Sequence, residues 1–323
     1  MSKGRLKEVA DLETGEMVEA WVPDNGTMED FTVIHKDDQA KKDAYLKSKA
    51  IKMNFNILSG GFTFTMMQTL KDLIANTTFT QAEKTRIMFL GTYVSYHSET
   101  PYLTHSNGKP LLKSKLKNLL EIANKKEFYA FYNKLVEAGV MKEEIIDRST
   151  VKLIWSEQYH FKGKPSASKV SSDNLIKTFD KQIREMYTLK NEKGKSVHTA
   201  HSLYNIFILM PYIHPESNAL CKYPEKPYHA SEPLTLQDLT DFFGYSRTND
   251  TKRMLFKFVL HGMPVVAIAP TSESTRIFIN PFVVNRTGKT PNATLFTMFD
   301  SSFNMLADRN GWSDKQKQAF LNQ

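Results

Sequence analysis

The sequence contains a single cysteine, Cys221, among 323 residues. One thiol cannot form an internal disulfide, and it excludes a zinc site made of several thiolates. Long apolar runs are missing as well: the longest, at 206–210, is far shorter than the ~20 residues of a membrane span. No apolar run follows Met1–Arg5, so we expect no signal peptide. These absences predict a cytoplasmic protein of a reducing compartment, without a membrane partner.

Recognisable catalytic motifs are also missing. Gly194-Lys195-Ser196 resembles the end of a phosphate-binding loop, but Leu189 stands where the first glycine belongs. His198 and His201 have a spacing seen in some metal sites, yet they lack a nearby acidic or thiol partner, which favours surface histidines on a helix. The sequence therefore predicts no enzyme, no metal and no cofactor.

The charge is unevenly distributed along the chain. The formal net charge is +8, but residues 1–45 hold six basic and eleven acidic side chains, a balance of −5 that leaves +13 for the remainder. A basic body favours an anionic partner, either nucleic acid or a membrane surface. The alternative is a protein from a generally basic proteome, in which the charge has no partner.

Two stretches of the chain, Arg86–Pro165 and Tyr204–Pro291, share a pattern of apolar residues and glycines. Ile87-Met88-Phe89-Leu90 matches Ile206-Phe207-Ile208-Leu209 at an offset of 119, and Gly139 matches Gly262 at an offset of 123. Further matches lie in the same order, with the drift in offset falling in loops. The pattern predicts an internal duplication.

Each stretch carries the signals of a helix pair followed by two strands around a polar tip, at 140–146 and 151–155 and again at 264–269 and 276–280. A helix pair followed by a β-hairpin is the winged form of the helix-turn-helix. The predicted fold is mainly α with small β wings: two tandem winged-helix domains joined by a basic helix.

The predicted boundaries follow from these segments. An acidic N-terminal hairpin and helix occupy 1–60, with strands at Arg5–Ala10 and Met17–Val22 around a turn containing Gly15. The winged-helix domains occupy 61–165 and 197–291, and a helical tail occupies 292–323. The linker helix at 166–196 is predicted to start after Ser172-Asp173, with one apolar face formed by Leu175, Ile176, Phe179, Ile183, Met186 and Tyr187.

The second helix of a helix-turn-helix lies in the major groove, and its N-terminal side chains contact base edges. Lysine and arginine donate to guanine, and asparagine pairs with adenine. In the stretch Arg86–Pro165 the predicted DNA-contacting residues are Lys125, Lys126, Tyr129, Asn133 and the wing residue Arg148. In the stretch Tyr204–Pro291 they are Ser246, Arg247, Thr248, Asn249, Lys252, Arg253 and the wing residue Arg276. The second set is expected to supply specificity, and the six lysines at 113–134 to add phosphate contacts.

The end of the second unit, Arg276-Ile277-Phe278-Ile279-Asn280-Pro281-Phe282 followed by Gly288-Lys289, resembles that of winged-helix replication initiators from plasmids and phages of Gram-positive bacteria. The Asn-Gly-Lys-Pro stretch at 107–110 is similar to the same group, and the resemblance covers about 80–290. The stretch Arg86–Pro165 departs from it, because Ser156-Glu157 stands in place of the Asn-Pro. The resemblance implies binding to repeated origin sequences near the nucleoid, with host proteins supplying helicase and polymerase. It also implies a homodimer that competes with origin binding.

The leading hypothesis is therefore a sequence-specific double-stranded DNA-binding protein that initiates replication of a plasmid or phage. A phage or plasmid transcription regulator of the same fold is the alternative. A third possibility is an interaction protein whose helices bind protein instead of DNA. Strong dependence of binding on salt separates DNA binding from protein interaction.

Overall fold

The computed structural model describes residues 4–10, 17–23, 41–42, 44–46, 55, 58–96, 100–148, 150–163, 175–270, 275–286 and 293–321. Residues 1–55, with Gln323, form one compact unit, and residues 56–322 form a second. In the first unit, strands β1 (Gly4–Ala10) and β2 (Met17–Pro23) pair antiparallel, from Gly4 opposite Pro23 to Ala10 opposite Met17. The predicted N-terminal hairpin is confirmed. Its turn, with Gly15, lies outside the described residues.

The second unit alternates helices and short strands. Its first half contains β3 (Phe62–Met66), α1 (Met67–Ala75), α2 (Gln81–Gly91), α3 (Lys113–Leu119), α4 (Lys125–Glu137), β4 (Met141–Ile145), β5 (Val151–Trp155) and β6 (His160–Phe161). The next stretch contains β7 (Leu175–Phe179), α5 (Asp180–Thr188), α6 (Ala200–Phe207), α7 (Leu236–Phe243), α8 (Thr248–Phe256), β8 (Val259–Leu260) and β9 (Met263–Pro264). The rest contains β10 (Val266–Pro270), β11 (Thr275–Ile279), β12 (Val284–Asn285), α9 (Ala293–Met298), α10 (Asp300–Arg309) and α11 (Asp314–Leu321).

An antiparallel sheet in the order β12–β7–β3–β6 draws its strands from distant parts of the chain. Its two central strands pair from Phe62 opposite Phe179 to Met66 opposite Leu175. All five residues of β7 are buried, including Lys177, whose amino group lies 4.7 Å from the centre of the Phe62 ring. β6 and β12 each follow a hairpin in sequence, so the sheet anchors both hairpins, β4–β5 and β10–β11.

The core beside this sheet is built around helix α2. Residues 83–85 and 87–91 of this eleven-residue helix are buried, so it lacks the polar stripe of a surface helix. Phe89 stacks on Tyr187 of α5 with ring centroids 4.0 Å apart, and α6 packs along the same helix. Thr80 and Glu83 form a capping box: each backbone N–H is bonded by the other residue's side chain, at 2.8 and 3.3 Å.

The fold class predicted from the sequence is wrong. The structure is mixed α/β, 45% helical and 21% strand, with several antiparallel sheets instead of a mainly α fold with small wings. The described residues do not show the predicted duplication or tandem winged-helix domains. The prediction of a basic helix joining the two domains is wrong for its first part, because Leu175–Phe179 is strand β7 and only 180–188 is helical. Its predicted start at Ser172-Asp173 lies outside the described residues.

The physical reason is that a short apolar run fits both the periodicity of a helix and that of a buried strand. Five residues with three large apolar side chains suit a buried strand as well as a helix face. Residues 62–66 have the same ambiguity: they continue the helical spacing of α1 in the sequence, yet they form β3, with alternate side chains buried. Pairing between these two segments, more than 100 residues apart in sequence, decides the outcome for both.

Within the described residues, no helix combines the length and the apolar content that crossing a bilayer requires.

Candidate nucleic-acid interface

Helices α7 and α8 are consecutive in the chain and pack against each other. A capping box between Thr235 and Asp238 starts α7, and Gly244 ends it with a φ of 70°, a conformation that glycine adopts without strain. Three residues, 245–247, then lead into α8. A glycine-containing turn of this length is also found in helix-turn-helix motifs.

The outer face of α8 is polar and exposed. Thr251, Met254 and Leu255 are buried against the rest of the unit. The opposite face of the helix is exposed to solvent and carries Asn249, Lys252, Arg253 and Phe256. Ser246 and Arg247 are exposed just before the helix, and Thr248 is half-buried. Arg253 has 80% of its side chain exposed, and its guanidinium lies 4.0 Å from the carboxylate of Asp250, so this contact is a weak surface pair.

The two helices predicted to contact bases differ at their N-termini. In α4 the Asn124 side chain accepts hydrogen bonds from the N–H groups of Lys126 and Glu127, at 2.8 and 3.3 Å. In α8 the residue at the cap position is Arg247, which makes no side-chain capping bond. The N–H of Asp250 donates to Arg247 O at 3.0 Å, but no capping side chain of the described residues bonds the N–H groups of Thr248 and Asn249. Such first-turn amides, with the helix dipole, favour a phosphate oxygen.

The hairpin β10–β11 follows α8, with Val266 opposite Ile279 and Pro270 opposite Thr275. Its predicted wing residue, Arg276, is half-buried, and its guanidinium lies 4.8 Å from the centre of the Tyr228 ring. Arg276 thus packs on the protein, unlike the exposed residues of α8. The tip of this hairpin, 271–274, lies outside the described residues.

Asn280, in the segment that resembles replication initiators, holds parts of the fold together through hydrogen bonds. Its side-chain amide donates to Pro264 O at 2.7 Å and to Ser302 Oγ at 2.9 Å, and its Oδ1 accepts from the N–H of Phe282. The residue is fully buried. Asn280 therefore ties the end of β11 to helix α10, and it is not placed to contact a base. Gly288-Lys289 lies outside the described residues.

Helices α3 and α4 present a second basic surface. The apolar face of α4 is buried: Phe128, Phe131, Tyr132 and Leu135. The predicted outward residues are all exposed: Lys125, Lys126, Tyr129 and Asn133. Lys125 lies 6.0 Å from the centre of the Tyr129 ring, so a cation and an aromatic face are adjacent here.

Ion pairs reduce the charge of this surface below what the sequence suggests. Of the six lysines at 113–134, Lys113 pairs with Glu143 at 2.6 Å and Lys134 with Glu83 at 3.0 Å. The hydrogen bonds from Lys113 and Tyr132 lower the pKa of Glu143, which keeps this carboxylate ionised. Within the described ranges, the other four lysines make no ion pair: Lys115, Lys117, Lys125 and Lys126.

In addition to the predicted polar residues, the tip of the hairpin β4–β5 carries two exposed apolar side chains, which were not predicted. Ile145 is 71% exposed and Ile146 52% exposed, next to the exposed Arg148. Ser149, at the same tip, lies outside the described residues. A signal was present in the sequence, because two isoleucines sit at a turn where polar residues are usual. These two side chains are a candidate contact for a partner at the tip.

The histidines do not form a metal site in the described part of the chain, where no three His, Cys, Asp or Glu side chains come together as ligands. His198, expected on a helix surface, is buried: its Nε2 lies 3.2 Å from Val259 O, and burial lowers its pKa. Burial also raises the pKa of the Cys221 thiol.

Comparison of the chain with protein-family models, with curated proteins and with solved structures finds no match.

Proposed function

We propose that this protein binds double-stranded DNA in a sequence-specific manner and initiates replication of a plasmid or phage. The observation that carries the DNA-binding part is the outer face of α8, where exposed Arg247, Asn249 and Lys252 follow a glycine turn on a rigidly packed helix. Arginine and asparagine are the side chains that form paired hydrogen bonds with guanine and adenine in the major groove. Replication initiation rests on the resemblance at 276–282 and 107–110.

The surface of α3 and α4 supplies phosphate contacts in this proposal. Its four lysines without carboxylate partners among the described residues attract the DNA backbone but carry no sequence information. The first amides of α4 are already bonded to Asn124, so in this proposal the lysine side chains, and not the helix N-terminus, make the phosphate contacts. The apolar tip at Ile145 and Ile146 is then the part of the hairpin that enters a groove beside the backbone.

The test of DNA binding is selection from a random pool of duplex DNA with the full chain. We expect the wild type to enrich one motif and the double variant Arg247→Ala, Asn249→Ala to lose or relax it. Lys315→Ala, an exposed lysine on α11, removes a positive charge elsewhere and should leave the motif unchanged. Enrichment of no motif by the wild type, with binding to a protein partner instead, would favour an interaction protein, for which exposed Phe256 would be the anchor.

The replication role has its own test. A plasmid that carries the selected motif as direct repeats is supplied with the gene in trans, in a host where it otherwise cannot replicate. Maintenance of the plasmid by the wild type, and not by the double variant, supports initiation. Repression or activation of a reporter without plasmid maintenance would support a transcription regulator.

A further inference from the structure

A cleft of about 650 Å³ opens beside the four-stranded sheet, at the start of β3 and the start of α5. The residues that matter for its chemistry are Phe62, Tyr96, His105, Ser106, Lys162 and Arg184. Its volume falls in the usual range for small-ligand sites. It does not share residues with the surfaces of α4 and α8 described above.

The one carboxylate in the wall of this cleft is occupied by the protein itself. Asp180 accepts a hydrogen bond from Thr63 Oγ1 at 2.6 Å with one oxygen and pairs with Lys162 Nζ at 2.7 Å with the other. Lys162 also donates to Thr92 O at 2.8 Å. Two of its three N–H groups are therefore used, and the third has no partner among the described residues.

Arg184 brings a second positive charge, and no carboxylate of the described ranges pairs with it. Its Nε donates to Thr92 Oγ1 at 2.9 Å, its Nη2 donates to Thr92 O, and its guanidinium lies 3.8 Å from the centre of the Tyr93 ring. These contacts fix the guanidinium and leave Nη1 without a hydrogen-bond partner in the described part of the chain. With Lys162 and Asp180, the charged wall sums to +1 (two cations and one carboxylate).

The position of Arg184 is a costly one unless a ligand uses it. Its half-buried charge is held by a neutral threonine and an aromatic ring, whereas an unrestrained arginine would extend into water. A guanidinium held in one orientation loses little further entropy when it binds an anion, and its fork geometry suits phosphate oxygens. At the rim, His105 and Ser106 are exposed, and Phe62 and Tyr96 add aromatic rings.

We propose that this cleft binds the phosphate group of a nucleotide. Arg184 and Lys162 donate hydrogen bonds to the phosphate oxygens, and the aromatic side chains of the wall contact the attached base. Two sources offer this chemistry: a free nucleotide, and a phosphate of a nucleic-acid strand. The proposal does not depend on sequence-specific DNA binding through α8.

The test is calorimetric titration of the full chain with inorganic pyrophosphate, without DNA. Arg184→Met should weaken binding about tenfold or more, because one charge-assisted hydrogen bond is lost. Lys181→Met is the matched control: it removes one charge from the same helix, and the Lys181 side chain is 63% exposed. Its affinity should stay within about twofold of the wild type, since an exposed charge interacts weakly.

A second variant covers the case in which Arg184→Met fails to fold. Ser106→Asp places a negative charge at the exposed rim and should weaken pyrophosphate binding to a similar degree, whereas Ser301→Asp, exposed on α10, should not. No measurable pyrophosphate binding by the wild type, or equal weakening by the cleft variants and their controls, would overturn the proposal.

Two further titrations identify the source of the phosphate. Tighter binding of ADP than of pyrophosphate, with DNA affinity unchanged in Ser106→Asp, indicates a free nucleotide. Loss of affinity for single- or double-stranded DNA in the same variant, with no gain from ADP, indicates a phosphate of the strand. Because pyrophosphate is tested without DNA, a negative result here leaves the α8 proposal intact.

Discussion

Thr240 of α7 and Thr251 of α8 join the two helices through their hydroxyl groups, whose oxygens lie 2.8 Å apart. Both side chains are buried, and Thr240 Oγ1 also lies 2.6 Å from Leu236 O. A hydroxyl has one proton, and that of Thr240 is used on the carbonyl of Leu236. Thr251 is therefore the donor, and Thr240 is the acceptor that fixes the crossing of α7 and α8.

Thr251→Val should destabilise the protein by about 1 kcal/mol, since it removes this hydrogen bond while keeping the shape of the side chain. Thr251→Ser retains the hydroxyl, and urea unfolding should show that it restores the bond at the cost of one methyl group. DNA affinity should fall with Thr251→Val even where the protein is fully folded, because α8 is less firmly placed. Equal DNA affinity in wild type and variant would show that this contact does not position the helix.

DNA binding should depend strongly on salt. The surfaces of α4 and α8 expose enough cations to neutralise roughly 6–10 phosphates, which predicts a loss of about 10³–10⁵ in affinity between 50 and 200 mM salt. Fluorescence anisotropy with a labelled duplex measures it, and the slope of log affinity against log salt gives the number of phosphates. A nearly flat slope would be incompatible with the proposed interface.

Substitutions on the two helices should have different effects. Arg247→Ala or Asn249→Ala should each cost about 1–3 kcal/mol on the selected site and much less on unrelated DNA, because a base contact is lost. Lys125→Ala and Lys126→Ala should weaken binding to both DNAs alike and lower the salt slope. The same loss on specific and unrelated DNA for the α8 variants would assign base contacts to another surface.

Acid should destabilise the protein through His160. Its ring is buried, its Nδ1 accepts from Trp155 Nε1 at 3.2 Å, and burial lowers its pKa from 6.5 to about 3. Below pH 6.5 the unfolded chain takes up a proton here that the folded chain refuses until pH 3 or so. The free energy of unfolding should therefore decrease as the pH is lowered from 6.5 to about 3, by up to about 1.4 kcal/mol per pH unit.

His160→Asn tests this linkage, since asparagine keeps a hydrogen-bond acceptor and cannot titrate. Urea unfolding at several pH values should show a shallower fall for this variant than for the wild type, whatever its stability near neutral pH. His201→Asn, at an exposed position of α6, should keep the wild-type slope. Parallel slopes for wild type and His160→Asn would mean that other groups cause the loss.

Local patterns in the sequence predicted local structure well. Both β-hairpins within residues 56–322 and the exposed side chains of α4 follow from residues within a few positions of one another. The exposed face of α8 belongs to the same class, because helical periodicity sets it. Strand β7 does not, since it is a strand only because β3 lies beside it.

Side-chain environments that depend on residues distant in the sequence could not be predicted either. The charge count at 113–134 could not show that Glu143 and Glu83 neutralise two of the lysines. Arg276 was placed at a wing, but Tyr228, 48 positions earlier, holds its guanidinium. The cleft around Arg184 had no sequence signal, because Lys162 and Asp180 are brought together only when their elements pack beside β3.

The spacing of the DNA contacts should be fixed. β6 follows the hairpin β4–β5, β12 follows β10–β11, and both strands belong to one sheet, so the surfaces of α4 and α8 are held within one compact unit. Because the α4 surface contacts the backbone without reading sequence, it needs duplex DNA on one side of the motif that α8 reads. Trimming the duplex to the motif on that side should lower the affinity about tenfold or more, whereas changing the flanking sequence at constant length should not. The double variant Lys125→Ala, Lys126→Ala serves as the control, because a protein that lacks these phosphate contacts should be much less sensitive to trimming. Equal affinity of the wild type for full-length duplexes and for duplexes trimmed on either side would mean that α8 binds alone and that α4 contacts something other than the same DNA.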